Sequence, residues 1–361
     1  MTRYDEVQEQ LRREPRTWLV TGAAGFIGSH LVETLLALGQ RVVGLDDFSS
    51  GYRANLEEVM GACAAAGGRF RFVEGDIRDP FTCLDACRGT DYLLHQAAIG
   101  SVPRSIEDPL GTHATNTAGT LNLLVAARET GVRRVVYASS SAVYGDSDAI
   151  PAREEAVGAA LSPYAVTKRG CEEYAAVFAR VHGTEAVGLR YFNVFGARQD
   201  PRSAYAAVIP VWAREMISGV RCTVHGDGLT TRDFTWVGDV AQANVLAATA
   251  PLSEPAPVFN VGSGRATTLS ELHAALAAAV RRRTGLPVPP PLHGPFRDGD
   301  VRHSRADVSR ISAALGYRPV PSFAPCLDAT VAWYVSRLAP RAARATAGVV
   351  ELDDAHAETA A

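Results

Sequence analysis

The run from Thr17 to Gly28 constrains this chain more than any other. Thr17-Trp18-Leu19-Val20-Thr21 reads as a buried strand and passes directly into Gly22-Ala23-Ala24-Gly25-Phe26-Ile27-Gly28. A helix is expected next, from Ser29 to Leu38, with Leu31, Val32, Leu35 and Leu36 on its apolar face and Gly39 at its end. A second strand, Arg41 to Leu45, finishes at Asp46-Asp47. In such a unit glycines permit a tight turn and close backbone approach. The helix N-terminus faces a pyrophosphate, and the acid at the next strand end accepts from an adenosine ribose. The spacing is GxxGxxG rather than GxGxxG, and Asp46 lies eighteen residues past Gly28. Glycine patterns alone recur in many loops; set between strand and helix, with the acid in place, they specify a dinucleotide site. An aspartate at this position repels a 2′-phosphate, so NAD is favoured over NADP, and Arg53 reads as solvated loop charge.

Alternation of strand and helix continues. Arg69 to Val73 reads as a strand leading to Asp76-Ile77, where Asp76 either meets an adenine edge or serves as a turn aspartate. Tyr92 to His95 is another strand, and the small residues of Gln96-Ala97-Ala98 behind it let the backbone approach a cofactor. A helix from Asn116 to Thr130 and a strand from Arg134 to Ser139 follow. Repeated units of this kind give an α/β fold, a doubly wound parallel sheet whose sites lie beyond the carboxyl ends of the strands.

At 361 residues the chain exceeds what one core usually serves, so a smaller C-terminal α/β lobe is expected beside the sheet. The division reads as an arm or short helix at 1–16 and a dinucleotide lobe at 17–192, with segments returning from about 233–262. A substrate lobe takes 193–232 and 263–338, and an acidic tail takes 339–361. Charged residues make up 21% and the net charge is -3, which gives no reason to expect nucleic acid or an anionic membrane as partner. No apolar run reaches the ~18 residues of a membrane span. Six cysteines without a CxxC or a Cys/His cluster read as reduced thiols in a cytoplasmic protein with no metal site. Val280-Arg281-Arg282-Arg283 closes an Ala-rich helix, where cations complement the dipole.

The chemistry centres on Ser162-Pro163-Tyr164-Ala165-Val166-Thr167-Lys168. Ser162 and Pro163 are helix-start signals, and Tyr164 and Lys168 at i and i+4 share one face. A free tyrosine titrates near pH ~10; an ammonium beside it favours the phenolate and makes the pair a general base. Alone, such a pair is most often an amphipathic surface pair. Ser139-Ser140-Ser141, at the end of a strand, can reach the same crevice.

These residues resemble the extended short-chain dehydrogenase/reductase family over about 17–335. The resemblance rests on Gly22/Gly25/Gly28, Asp46, Asp76-Ile77, the serine run before Val143-Tyr144-Gly145, and Tyr164/Lys168. Within that family the chain is most similar to UDP-hexose 4-epimerases, notably the bacterial branch acting on N-acetylated hexosamines and their uronic acids. The further matches are Gly100 to Ser105, Tyr191 to Gly196, Ala204 to Pro210, Arg232-Asp233-Phe234 and Arg297 to Ser304.

The resemblance implies that Tyr164 is the base, that Lys168 binds the nicotinamide ribose and keeps the phenol acidic, and that Ser140 is the catalytic hydroxyl. It extends the NAD site to Phe26, Ile27, Gln96, Ala97, Ala98, Asn116 and Tyr191. It assigns Asn193, Arg232 and Arg297 to the substrate diphosphate and Asp300 to the uridine ribose. Gly100, Ser101, Ser141, Asn193, Ala207 and Ser304 would surround the sugar and Val208 would join the substrate site, with Arg104 the nearest arginine in sequence for a C6 carboxylate. A small residue at Ser304 leaves room for an N-acetyl group, while the C2 and C6 substituents stay open.

The implied reaction is transient oxidation at C4, rotation of the 4-keto sugar, and return of hydrogen to the other face, serving surface-polysaccharide or glycosylated-metabolite biosynthesis. In dehydratase relatives an Asp-Glu pair follows the catalytic hydroxyl residue, and in decarboxylase relatives a Glu occupies the second position after it. Here Ser141 and Ala142 stand there, and alanine shuttles no proton. A scaffold that binds NAD without catalysis is the remaining alternative, but such proteins lose the Tyr or the Lys. By resemblance the enzyme is a homodimer, paired through two helices of each subunit.

Overall fold

The computed structural model describes residues 1–64, 68–202, 206–296 and 301–345, with side chains to 338. Six strands open the main sheet: β1 (Thr17–Thr21), β2 (Arg41–Asp46), β3 (Arg69–Glu74), β4 (Tyr92–His95), β5 (Arg134–Ser140) and β6 (Ala186–Tyr191). The helices among them are α1 (Arg3–Arg13), α2 (Phe26–Ala37), α3 (Arg53–Cys63), α4 (Pro80–Cys87), α5 (Val102–Glu107), α6 (Pro109–His113), α7 (Gly119–Thr130) and α8 (Pro163–His182). Short strands β7 (Asn193–Phe195), β8 (Thr223–His225), β9 (Thr231–Arg232) and β10 (Phe234–Trp236) follow, with α9 (Val208–Ile217) between β7 and β8. Then come α10 (Val237–Thr249), β11 (Val258–Val261), β12 (Thr267–Thr268), α11 (Leu269–Thr284), β13 (Leu292–Gly294), α12 (Ser309–Leu315) and α13 (Phe323–Ala345).

The main sheet is parallel throughout, in the order β11-β6-β5-β4-β1-β2-β3. Strand order reverses between β1 and β4, and the crevice beyond their carboxyl ends is where a doubly wound sheet binds its ligand. Trp18, Leu19, Val20, Leu93 and Leu94 are fully buried, as strands covered by helices on both faces must be. Three shorter pairings, β10 with β7, β12 with β9 and β13 with β8, build the second lobe. Its core gathers Ile209, Trp212, Met216, Leu272, Leu276 and Tyr334.

Several boundaries differ from those read in the sequence. α2 begins at Phe26 rather than Ser29, because Gly25 takes the extended N-cap conformation and the helix starts inside the glycine turn. The helix expected from Asn116 begins with a π turn, Ala114–Ala118, and turns regular only at Gly119. α13 runs to Ala345, past the tail boundary set at 339, and residues 346–361 lie outside the described residues. The N-terminal arm is a helix, α1, closed by a capping box between Thr2 and Asp5, and it buries Val7 and Leu11. Arg282 and Arg283, at the end of α11, pair with Asp328 of α13.

Candidate active site

The glycine turn is tight enough to exclude side chains. Gly22 sits at φ 67°, and a Cβ there would lie 2.8 Å from the Ala97 amide nitrogen. At Gly28 a Cβ would meet the Gly22 carbonyl oxygen at 1.9 Å. The backbone therefore lines the crevice itself, which is the cradle a pyrophosphate needs. Asp46, at the end of β2, accepts from the amides of Ala24 (2.9 Å) and Phe48 (2.8 Å). Burial raises its carboxyl above the ordinary value while those two amides pull it back. Asp46 also lines the cavity, where ribose hydroxyls can donate to it. These features fit a dinucleotide.

A buried polar chain fixes the opposite wall. Thr21 Oγ1 accepts from the Gln96 and Ala97 amides (3.2 Å each), so its own proton goes to His95 Nδ1 (2.7 Å). Thr120 donates to the Asn116 carbonyl (2.5 Å) and so accepts from His95 Nε2 (2.9 Å). The imidazole is thereby held neutral in one tautomer, and burial together with the Lys168 charge lowers its pKa to about 3. Tyr191, Gln96 and Asn244 close a second triangle of hydrogen bonds at the wall.

Tyr164 and Lys168 stand in the first turns of α8, whose N-terminus Ser162 caps by accepting from Ala165 (3.2 Å). The Tyr164 amide donates to Ser105 Oγ on α5 (3.1 Å), which fixes the helix start against its cover. Lys168 is buried, donates from Nζ to the Ala138 carbonyl (2.8 Å), and lies 5.9 Å from the Tyr164 ring centroid. Ser140 ends β5, and its Oγ accepts from Ala142 (3.1 Å) to cap the short turn Ser141–Tyr144. Beside it Ser139 donates to Glu172 (2.5 Å), a carboxylate gripped by both ends of the Arg190 guanidinium.

One cavity of about 840 Å³ joins these parts. Gly22, Gly25, Phe26, Ile27, Gly28, Asp46, Gln96, Ala97, Ala98 and Tyr191 line it together with Ser140, Tyr164 and Lys168. Gly100, Asn193, Ala207, Val208 and Arg232 continue the wall into the second lobe. Arg232 donates to the Thr231 carbonyl (2.9 Å), and buried Asp233 beside it ties down Ser263, Gly264 and Ala306.

Other residues singled out in the sequence stand outside this wall. Asp76 is engaged by the backbone and guanidinium of Arg78 (2.8 and 2.7 Å), and Ile77 is buried under Gly119. The Asn116 amide is spent on the Ile99 backbone (2.8 and 3.1 Å) and Thr167 (3.1 Å), so it braces the wall from behind. Ser101 caps α5 by accepting from Arg104 (3.2 Å), Ser141 lies in the turn after β5, and the Ser304 amide donates to Thr231. Arg297, Asp300 and the Ala204-Tyr205 part of its motif lie outside the described residues.

Sequence reasoning missed Gln199, Trp212, Glu215, His225 and Leu269, which also line the cavity. Trp212 and Glu215 at i and i+3 on α9 share a face, a signal present in the sequence but shared by any amphipathic helix. Among the described residues, Asp46 and Glu215 are the carboxylates in the wall, and neither adjoins Ser140 in sequence. No group of three His, Cys, Asp or Glu among the described residues could hold a metal, and no helix there is long and apolar enough to cross a membrane.

Comparison with known proteins places this geometry. The profile of the NAD dependent epimerase/dehydratase family matches residues 18–262. A UDP-glucose 4-epimerase of Mycolicibacterium smegmatis is 40% identical over 321 residues, covering 88% of this chain and 97% of that protein. A dTDP-glucose 4,6-dehydratase of an Actinoplanes species is 35% identical, covering 88% and 97%. Among solved structures, a UDP-N-acetylglucosamine 4-epimerase of Methanobrevibacter ruminantium, in complex with UDP-N-acetylmuramic acid, superposes with a TM-score of 0.82. It is 33% identical and covers 90% of this chain and 99% of that one.

Proposed function

The chain belongs to the NAD dependent epimerase/dehydratase family, and from that premise we propose that it is a UDP-sugar 4-epimerase with NAD as its cofactor. The observation that carries this reading is the single cavity that holds the glycine turn, Asp46, Lys168, Tyr164 and Ser140 together. The Gly22–Gly28 backbone and the N-terminus of α2 would hold the pyrophosphate, and Asp46 the adenosine ribose. Bound there, NAD supplies reversible acceptance of the hydrogen at C4.

The protein's own work is proton transfer and restraint. Tyr164 takes the proton of the sugar 4-hydroxyl and later returns it. Lys168, anchored on Ala138, would hold the nicotinamide ribose beside the phenol. Ser140 binds the same oxygen and keeps it on the path between hydroxyl and phenol. Arg232 and Asn193 would hold the diphosphate while the sugar turns, so that binding energy stays on the nucleotide and off the reacting ring. Gly100 and Ala207 keep the sugar wall small. Small residues there support admission of a C2 N-acetyl group, as in UDP-N-acetylglucosamine, alongside UDP-glucose and their uronates.

Dehydration is the second reading, favoured by the 35% identical dehydratase. It needs an acid and a base to remove water from the 4-keto sugar. The positions after Ser140 are Ser141 and Ala142, and the wall carboxylates stand elsewhere, which supports epimerisation alone. The exposed residues Val166, Tyr174, Val177 and Val181 run along α8 at helical spacing, and that apolar stripe supports a homodimer packed through this helix. The activity is tested by incubating the NAD-loaded protein with UDP-glucose, UDP-N-acetylglucosamine and their uronates separately, followed by proton NMR. Conversion of any to its galacto epimer supports the reading; conversion of none, or release of water or carbon dioxide, refutes it.

A further inference from the structure

We infer that Glu215 reads the nucleobase of the substrate, accepting a hydrogen bond from the N3–H of uracil. The inference rests on the UDP-sugar reading and adds the residue that selects its base. Where α9, β8 and α11 line the cavity, the wall presents Val208, Trp212, the His225 ring and Leu269, apolar and planar surfaces suited to a heterocycle. Its one carboxylate is Glu215, set on α9 three residues after Trp212. A negative side chain in the wall of a cavity for a diphosphate is anomalous by charge alone, since like charges repel. It becomes favourable where it faces a donor.

For one carboxylate oxygen the protein itself supplies no donor. Glu215 Oε2 is buried and has no hydrogen-bond partner, a costly state that a ligand N–H relieves. The neighbouring Cys222 thiol, kept protonated because burial and then the Glu215 charge push its pKa up to about 12, hydrogen-bonds to the carboxylate as a weak donor, and Oε2 is left without a partner. A UDP-sugar brings three kinds of donor. The sugar hydroxyls belong at Tyr164 and Ser140, where the proposed chemistry takes place. Ribose hydroxyls suit a polar wall, whereas Trp212, Leu269 and Val208 make this one apolar. The base has a single donor, N3–H. Thymine offers the same group, so the residue selects for uracil-type bases without excluding thymine.

The test is titration of UDP, N3-methyl-UDP and 2′-deoxy-UDP into the NAD-loaded full chain and its Glu215→Ala and Glu215→Gln variants. Hydrogen bonds to charged groups discriminate by roughly 10- to 100-fold, and the wild type should prefer UDP over N3-methyl-UDP by that factor. Glu215→Ala should weaken UDP by about 10-fold or more and leave N3-methyl-UDP unchanged, so that the preference collapses. Glu215→Gln keeps the shape and an acceptor oxygen, and should retain part of the preference even if the alanine variant folds poorly. The inference is overturned if the methyl penalty persists in Glu215→Ala, if the variant weakens every ligand alike, or if the lost discrimination is against 2′-deoxy-UDP. Wild-type protein that binds no UDP overturns the UDP-sugar reading itself, and does so before any substitution is compared.

Discussion

Replacing Gly28 by alanine puts a methyl group 1.9 Å from the Gly22 carbonyl oxygen and 2.6 Å from its carbon, both backbone atoms with no rotamer to give way. Real Cβ atoms essentially never come closer than 3.0 Å, so turn and helix must separate by at least about 1 Å. Two routes exist. Either α2 lifts off the sheet, where Leu31 and Leu35 are fully buried, or the Gly22 turn opens and loses the Gly25 amide bond to Gly22 (3.0 Å). Overpacking of this kind costs about 1–3 kcal/mol of stability. The same displacement moves the α2 amides from the pyrophosphate, and misplacement of about 1 Å can cost on the order of 100-fold in function. NAD affinity should therefore fall roughly 10- to 100-fold.

Two companion glycines calibrate the argument. At Gly25 a Cβ would stand 3.2 Å from the same oxygen, a contact that relaxes by a few tenths of an ångström, and at Gly61 in α3 it meets nothing within 4 Å. Gly25→Ala should cost NAD affinity only a few-fold, while Gly61→Ala should stabilise by about 0.5–1 kcal/mol through helix propensity. NAD content of the purified proteins, calorimetric NAD affinity and thermal midpoints measure all three. Wild-type NAD affinity in Gly28→Ala, or equal damage from Gly25→Ala, would refute the close-approach reasoning.

Three other outcomes are expected. Tyr164→Phe should lower kcat by about 100-fold or more with UDP affinity nearly unchanged, and lost UDP binding would instead make the phenol a positioning group. Asp239 is buried and its carboxyl is pushed up to about 6, against the pull of the Val320 amide and Arg265. The native state therefore binds more protons between pH of about 4 and 6, and stability falls as pH rises through that window. Asp239→Asn should stabilise by roughly 2 kcal/mol at pH 8 and by nothing below pH of about 4; urea unfolding at both pH values checks this, and a pH-independent difference contradicts it. Val181→Glu, on the exposed stripe of α8, should convert a dimer to a monomer in light scattering while NAD content stays at the wild-type level.

Much of the fold was readable because it is written in short-range spacing. β1, the glycine turn and the acid after β2 follow one another within thirty residues, and their order alone requires a parallel crossover. Tyr164 and Lys168 were legible for the same reason, being one helical turn apart. What escaped depends on contacts between distant segments. Ser105 meets Tyr164 across 59 residues, His95 meets Thr21 across 74, and Gln96 meets Asn244 across 148. Nothing in the local pattern distinguishes such a serine or histidine from a surface residue. Asn116 shows the converse. Its place in a resembling motif pointed to the cofactor, while the π turn directs its amide to Ile99 and Thr167 behind the wall. Glu215 reads locally as one more polar residue of an amphipathic helix, and acquires meaning only when α9 and β8 close the cavity around it.

The central claim is that hydrogen leaves C4 and returns to the same carbon from the other side within one closed pocket. The direct measurement is turnover of UDP-glucose and UDP-N-acetylglucosamine carrying deuterium at C4, with NAD-loaded protein in ordinary water, analysed by NMR and mass spectrometry. The account predicts a product of unchanged mass, inverted at C4, with the deuterium retained there. Deuterium lost to solvent, or a product lighter by a molecule of water, would contradict it.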